Sequence, residues 1–445
     1  MTFVSRADTS SPWAKVLGGA VRAGEAALPR WGWRAVLSAL LLASSAGAQT
    51  GVPPTSVGET EAPPPNRESG EAAKPPPPQL LSDVPSFELG GVVRFNYSYK
   101  SWLAPEHPNN RVGPIIFDTL ALRPRAQYKT LCLKADFHVH SNYAYLRYGY
   151  LGYKASDSLE LQAGLSQAPF GILPVPANNW FDNLSFYIGL EDDSDLGAKA
   201  QFKAGALDVQ LAFYKSDEGN FFGRSIDSAR YGFDLVRSND TEVSGVGERT
   251  DRETDQGNVR LAYTFQHAES FQTEIGLSGM AGGIYNAQTK GMGWRWAAAA
   301  HVHGQYGPLG LQLQAMSHAF NPAGPPEQDR RYVVMGAFES AYKVASRAHM
   351  FIANISYTWL PSSGLISSVV VYNDYAIMPK LERGFVASQQ NVTGCHVAAG
   401  PVHAFLELIA GRNHPFLGGD SSALAEGRAD AAWGFRPNLS LGYVF

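Results

Sequence analysis

The sequence predicts an all-β fold, a transmembrane antiparallel up-and-down β-barrel of 16 strands with long external loops. Three observations predict it. From residue 86 to the end, apolar and polar residues alternate with a period of two, in runs long enough to cross a bilayer. The last run ends on an aromatic carboxyl-terminal residue, Phe445. Near the start, a charged, then apolar, then small-residue segment has the order of a secretory signal. Composition removes competing classes. With 44% hydrophobic and 12% aromatic residues the chain of 445 is too apolar for disorder, and two Cys cannot build a disulfide scaffold. No stretch approaches the ~18 consecutive apolar residues of a spanning helix. A net charge of −4 carries no basic excess, so nucleic acid is not an expected partner.

Residues 1–48 read as a signal peptide. Arg30 and Arg34 precede the apolar run from Ala35 to Ala43, and Ala46-Gly-Ala48 supplies small residues for cleavage. A membrane anchor is the rival reading, but the run is about half the length a spanning helix needs. Residues 49–85 hold ten of the 28 prolines among Glu, Ser and Thr, which predicts an extended, disordered periplasmic linker. The leader carries +3 and the linker up to residue 83 carries −3, so the remainder keeps the whole −4.

The barrel domain is expected over 86–445. In its first run Phe87, Leu89, Val93, Phe95, Tyr97 and Tyr99 take one face, and Glu88, Arg94, Asn96, Ser98 and Lys100 the other. Side chains on a strand point alternately to its two faces, so one face is apolar and the other wet. The same split puts Leu120 and Leu122 opposite Arg123 and Arg125, and Leu131 and Leu133 opposite Lys134, Asp136, His138 and His140. It recurs with Leu196 and Phe202 against Lys199 and Lys203, with Leu261 and Tyr263 against Arg260, and with Trp294 and Trp296 against Arg295, His301 and His303. Apolar positions toward lipid and polar ones toward water describe an outer-membrane barrel, although a soluble sandwich alternates in the same way. Short turns fall near residues 129, 156, 205, 268, 307, 362 and 400, and longer connections between them complete sixteen strands. The apolar run from Val333 to Lys343 would make that number odd, so it is placed inside the long loop 320–346 as a short helix.

The final run resembles the last strand of bacterial outer-membrane proteins, in which alternating apolar residues and a terminal Phe are read by the barrel assembly machinery. Here Leu439, Leu441, Tyr443 and Phe445 carry that signature. The stretch Gly164-Leu-Ser-Gln-Ala-Pro-Phe-Gly-Ile172 resembles the phosphate-selective porin O and P family. So do Tyr145-Leu-Arg-Tyr148 with Gly152-Tyr-Lys154, Asp195-Leu-Gly197, Tyr372-Asn-Asp-Tyr375, and the run from Gly400-Pro401 to Gly411-Arg-Asn413. The resemblance implies a homotrimeric porin in the outer membrane of a Gram-negative bacterium, in contact with its lipids and passing small hydrophilic solutes. It also implies a third loop, 167–193, folded into the channel as a constriction, with Gln167, Pro169, Phe170, Gly171, Trp180, Phe181 and Asp182 as its candidate residues.

One departure bears on selectivity. Gln167 stands where the family has a Lys before Pro-Phe-Gly, and Glu191, Asp192, Asp193 and Asp195 follow. Still, ten cations, Arg94, Lys100, Arg123, Arg125, Lys134, Arg147, Lys199, Lys203, Arg260 and Arg295, fall on the wet face against six acids, Glu88, Asp136, Glu160, Asp195, Asp208 and Glu274. That balance predicts a weak preference for anions such as phosphate, with a mixed-charge lumen as the plainer alternative.

The pairs His138/His140 and His301/His303 have a chelating spacing but no evident third ligand, so they read as lumen lining and no metal or cofactor is expected. Cys132 and Cys395 lie on distant strands and read as free thiols. Tyr97, Tyr99, Tyr148, Tyr150, Trp296, Tyr357, Trp359 and Tyr443 are candidates for the aromatic girdles. Two other function classes stay open: an outer-membrane barrel enzyme of lipase or protease type, for which no Gly-x-Ser-x-Gly run occurs, and a structural barrel with a plugged lumen.

Overall fold

The computed structural model describes residues 84–111, 115–219 and 222–445. The signal peptide expected over 1–48 lies outside the described residues, as does the linker over 49–85 apart from its last two. The first strands in chain order are β1 (Ser86–Ser98), β2 (Ile116–Tyr128), β3 (Leu131–Val139), β4 (Ala144–Lys154), β5 (Leu159–Gln167), β6 (Ser194–Ala204) and β7 (Leu207–Ser216). The short β8 (Asp234–Leu235) is followed by β9 (Asp251–Ala268), β10 (Phe271–Asn286), β11 (Gly291–Tyr306) and β12 (Leu309–Asn321). Then come β13 (Tyr332–Ala337), β14 (Ser340–Ala345), β15 (Arg347–Trp359), β16 (Ser368–Met378), β17 (Ser388–Ala399), β18 (Val402–Arg412) and β19 (Gly434–Val444). Sixteen of these form one closed antiparallel barrel, and β8, β13 and β14 form a separate three-stranded sheet.

The wall closes between the first strand and the last. Val92 to Ser98 pair with Val444 to Asn438, and Gly91 and Phe445 exchange backbone hydrogen bonds of 2.9 and 3.0 Å. Glycine is required there, because a Cβ on residue 91 would stand 2.4 Å from the Ala121 carbonyl oxygen and 2.5 Å from the Phe445 ring. The ring covers the bare backbone.

Apolar residues occupy the exterior as the alternation predicts. Leu89, Leu151, Leu211, Leu277, Ile355, Leu406 and Leu441 are all exposed, on strands all around the wall. A contiguous apolar band of this extent is not a surface that water tolerates, whereas acyl chains cover it without cost. The alternation therefore marks a membrane barrel and not a sandwich. Among the described residues no helix is long and apolar enough to cross a membrane, so the strands are the spanning elements.

Two expectations need correction. The segment 332–345 lies inside the long loop, but as the hairpin β13–β14 and not as a short helix; β13 also pairs with β8 from the loop that follows β7. Every residue of β13 is buried, so its run Tyr332-Val-Val-Met shows neither helical nor strand periodicity. Tyr148 and Tyr150 are the other. They lie on the lumen face and are not girdle residues, because the register shifts between Asp136 and Phe137 and leaves Arg147 as the extra residue of a β-bulge, after which Leu151 is the exposed position. Tyr97, Tyr99, Tyr357, Trp359 and Tyr443 do face outward. Cys132 and Cys395 are free.

Candidate functional site

The interior is shaped first by the loop between β5 and β6. Its residues run across the lumen and hydrogen-bond to the wall on the far side, mostly as donors. Gly171 N–H donates to Ser278 Oγ at 3.0 Å, Ile172 N–H to Gln314 Oε1 at 2.7 Å, and the Trp180 N–H to Glu407 Oε1 at 2.8 Å. The Asp374 carboxylate accepts from the Asn178 backbone at 2.6 Å and from the Asn178 and Asn179 side chains at 2.7 Å. Asn354 holds the Pro176 carbonyl and Gln390 the Asp182 carbonyl. These acceptors and donors sit on β10, β12, β15, β16, β17 and β18, so the loop is fastened across the barrel's width.

Behind the loop, one side of the lumen is filled. Leu184, Phe186 and Ile188 of the loop pack with Phe233 and Leu235 of the next long loop and with Val333, Met335 and Val344 of the β13–β14 sheet. The wall meets them with inward-facing apolar side chains, among them Met280, Ile284, Met316, Met350, Met378 and Val392. This is a hydrophobic core inside a barrel, so the constriction expected of loop 167–193 is built together with the next long loop and the β13–β14 sheet.

The other side holds a cavity of about 430 Å³ bounded by β1–β4, β17–β19 and the loop. Arg94, Arg123, Arg125, Arg147 and Arg436 line it, against Asp118, Asp136, Asp182 and Asp192. The arginines are held by acids and rings. Arg94 pairs with Asp118, and Arg147 pairs with Asp192 and reaches Asp136 at 3.7 Å. Arg123 stands 3.3 Å from one Asp136 carboxylate oxygen, and the other lies 2.9 Å from His138 Nε2. The Arg436 guanidinium lies 5.0 Å from the Trp180 ring centre, and that of Arg147 lies 5.1 Å from Tyr231, a geometry that fixes a cation on an aromatic face. Tyr143, Tyr145, Phe338 and His140 complete an aromatic wall. The Asp182 carboxyl is pushed up to about 7, by burial first and then by repulsion from Asp192.

Of the ten cations expected to line the channel, Arg94, Arg123, Arg125 and Arg147 line this cavity. Lys100, Lys134, Lys199, Lys203, Arg260 and Arg295 do not. Arg260 has a structural place instead: it is 2% exposed, donates to the Gly171 carbonyl at 2.7 Å, and joins Glu274 and Asp208. Arg295 pairs with Glu253. Lys199 Nζ donates to the Gln167 carbonyl at 3.0 Å, at the root of the loop.

The seven constriction residues divide likewise. Trp180, Phe181 and Asp182 face the cavity. Gln167 anchors the loop, donating to the Pro174 carbonyl at 2.7 Å and to Asp192 at 3.1 Å. Pro169 and Phe170 are buried, and Gly171 has φ of 64° with its missing Cβ only 2.4 Å from Gln314 Oε1. Only glycine fits there. Leu439, Leu441 and Tyr443 lie on the exterior face of β19, and Phe445 is exposed just beyond its end. His138 and His140 line the cavity, whereas His301 is buried against Glu274 at 3.0 Å.

The sequence reading missed Arg436, Asp118, Tyr231 and Phe338. Arg436 shared the parity of Asn438 and Ser440 and was legible on that ground. Tyr231 and Phe338 come from loops whose inward folding no period announces.

No protein-family model matches the chain, and no curated protein matches it in sequence. Solved structures do. The outer membrane channel DcaP of Acinetobacter baumannii superposes with a TM-score of 0.51 at 11% identity, over 81% of this chain and 97% of that one. This chain has the fold of an outer-membrane channel. An anion-selective porin from Comamonas acidovorans gives 0.49 at 11% identity, over 81% and 100%, and the trimer form of OmpT from Vibrio cholerae gives 0.48 at 12%, over 82% and 100%.

Proposed function

We propose that the protein is an outer-membrane porin of a Gram-negative bacterium, through which small hydrophilic solutes diffuse passively along the arginine-lined side of the lumen, with a weak preference for anions such as phosphate. One observation carries this reading. Five arginines face four aspartates in the cavity, so the path has a small positive excess, and Arg94, Arg123, Arg147 and Arg436 are each preset by an acid or a ring. Anions entering a narrow path exchange water for such donors, and a single net charge biases the exchange without binding the ion tightly. Gln167 ties down the loop and adds no charge to the path, so the preference for anions rests on the arginines of the wall.

The same reading takes residues 1–48 as an export signal cleaved after Ala48, the β19 alternation ending on Phe445 as the segment handled by the barrel assembly machinery, and the assembled state as a homotrimer. The test is reconstitution in a planar bilayer under a potassium chloride gradient. Stepwise conductance with a reversal potential favouring chloride is expected. A potential favouring potassium overturns the selectivity, and an absence of conductance would show that the packed loops plug the barrel altogether.

A further inference from the structure

The acidic run noticed in the sequence, Glu191 to Asp195, is only partly used by the cavity. Asp192 turns toward Arg147 and the path. Its neighbour Asp193 turns the other way, toward the long loop between β7 and β9. There one carboxylate oxygen each from Asp193, Glu218 and Asp234 lie within 4.8 Å of one another. Asp195 and Glu253 crowd the same place from β6 and β9, and Asp217 stands beside them on Arg230.

Six acids thus meet two cations. Arg230 reaches Asp217 at 3.0 Å and Asp234 at 3.3 Å, and Arg295 is taken by Glu253. The excess is four negative charges in a place where Asp193 is 5% exposed, Asp195 2% and Asp234 0%. Six ionised carboxylates in this space need a compensating cation beyond the two arginines, or must give up charge by taking up protons.

The oxygens themselves point to a ligand. Asp193 Oδ1, Asp195 Oδ1, Asp234 Oδ1 and Glu218 Oε2 are all buried and accept no hydrogen bond. The other Glu218 oxygen is fixed by the backbone N–H groups of Tyr231 and Gly232 at 3.1 and 2.8 Å, so the carboxylate is oriented although one of its oxygens has no partner. Gly232 keeps the space beside it clear, since a Cβ there would stand 2.5 Å from Asp193 Oδ1 and 3.4 Å from Glu218 Oε1. An all-carboxylate donor set without His or Cys suits a hard divalent ion, and flexible coordination by several carboxylates suits calcium.

We propose that Asp193, Glu218 and Asp234 bind a calcium ion that fastens the end of the third loop to the loop after β7. The ion lies outside the permeation path. Its effect reaches the path through the chain, because Asp192 and Tyr231, each adjacent in sequence to a residue of the site or its cradle, form part of the cavity wall. Calcium therefore sets the rigidity of that wall.

The test uses the full chain purified in detergent, stripped with a chelator and titrated with calcium chloride at neutral pH in a calorimeter. One ion per chain is expected, together with slower trypsin cleavage at the exposed Arg224 and Arg237 of the loop. Asp193→Asn and Asp234→Asn should each weaken binding by roughly tenfold or more, while Asp240→Asn, an acid of the same loop outside the cluster, should leave it unchanged. Absence of binding and of protection in the unsubstituted protein overturns the proposal, as does binding that survives both substitutions. Should a substituted chain fail to fold, titration and proteolysis of the unsubstituted protein decide the matter alone. None of these readouts depends on conductance, so they stand apart from the proposed transport.

Discussion

The two sides of the lumen are built from the same element, inward-facing positions of antiparallel strands, yet they have opposite chemistry. On β1–β4 and β17–β19 those positions carry Arg94, Arg123, Arg147, Asp136 and Arg436, and a cavity remains. On β10, β12, β15 and β16 they carry Met280, Ile284, Met316, Met350 and Met378, and loops fill the space. The difference teaches that an inward position in a barrel is not synonymous with a wet one. Where a loop folds back, the lumen face becomes the wall of a second core, and flexible, unbranched Met side chains suit the irregular gap between loop and strand.

Experiments can break or sharpen this contrast. The largest effect is expected from removing the filling: excising residues 175–189 and bridging the ends with glycines should raise single-channel conductance several-fold and abolish selectivity. Unchanged conductance would mean that the loop does not set the bore. Next, Leu184→Ala, at a position with no exposure, should cost about 2–5 kcal/mol in the unfolding of the loop region, followed by denaturant titration in detergent. On the wet side, Arg147→Ala removes the partner of Asp192 and brings the lining to four arginines against four aspartates, so the reversal potential should move to zero or toward cations. A smaller change follows from pH. With the Asp182 carboxyl at about 7, lowering the pH from above to below that value neutralises one lining anion, so chloride preference should grow on acidification. A flat selectivity profile across neutrality would remove Asp182 from the path. The smallest effect is expected for Gln167→Lys, which restores the residue of the resembled family at a loop anchor outside the cavity and should shift selectivity less than Arg147→Ala does.

The wall was readable in advance because lipid imposes a strict period of two, and neither tertiary packing nor propensity relaxes it. The tight turns at 129–130, 205–206, 307–308 and 400–401 connect strands where the alternation stops, and the parity of the wall kept 332–345 out of it. Two kinds of feature escaped. One is the bulge: the register shifts opposite Asp136 and between Arg94 and Phe95 each add a residue, which turns Arg147 with Tyr148, and Asp118 with Thr119, toward the same cavity. A strict alternation places one of each pair on the wrong face. The other is loop filling. Val333, Met335 and Phe233 are buried by long-range contacts that local sequence does not encode, and Arg260 and Arg295, cations on the inward face, serve as ties because loops and acids had already reached them. The acid cluster at Asp193 was half visible, as a run of carboxylates, but Glu218 and Asp234 join it only through the path of the second loop.

The seam of the cylinder lies between β1 and β19, sealed by Gly91 against Phe445. These are the first and the last strands of the wall in chain order, so the circle cannot close until both are present. Neighbouring hairpins need only local chain to pair, whereas this one junction joins the two most distant strands of the wall, and it alone turns a curved sheet into a cylinder.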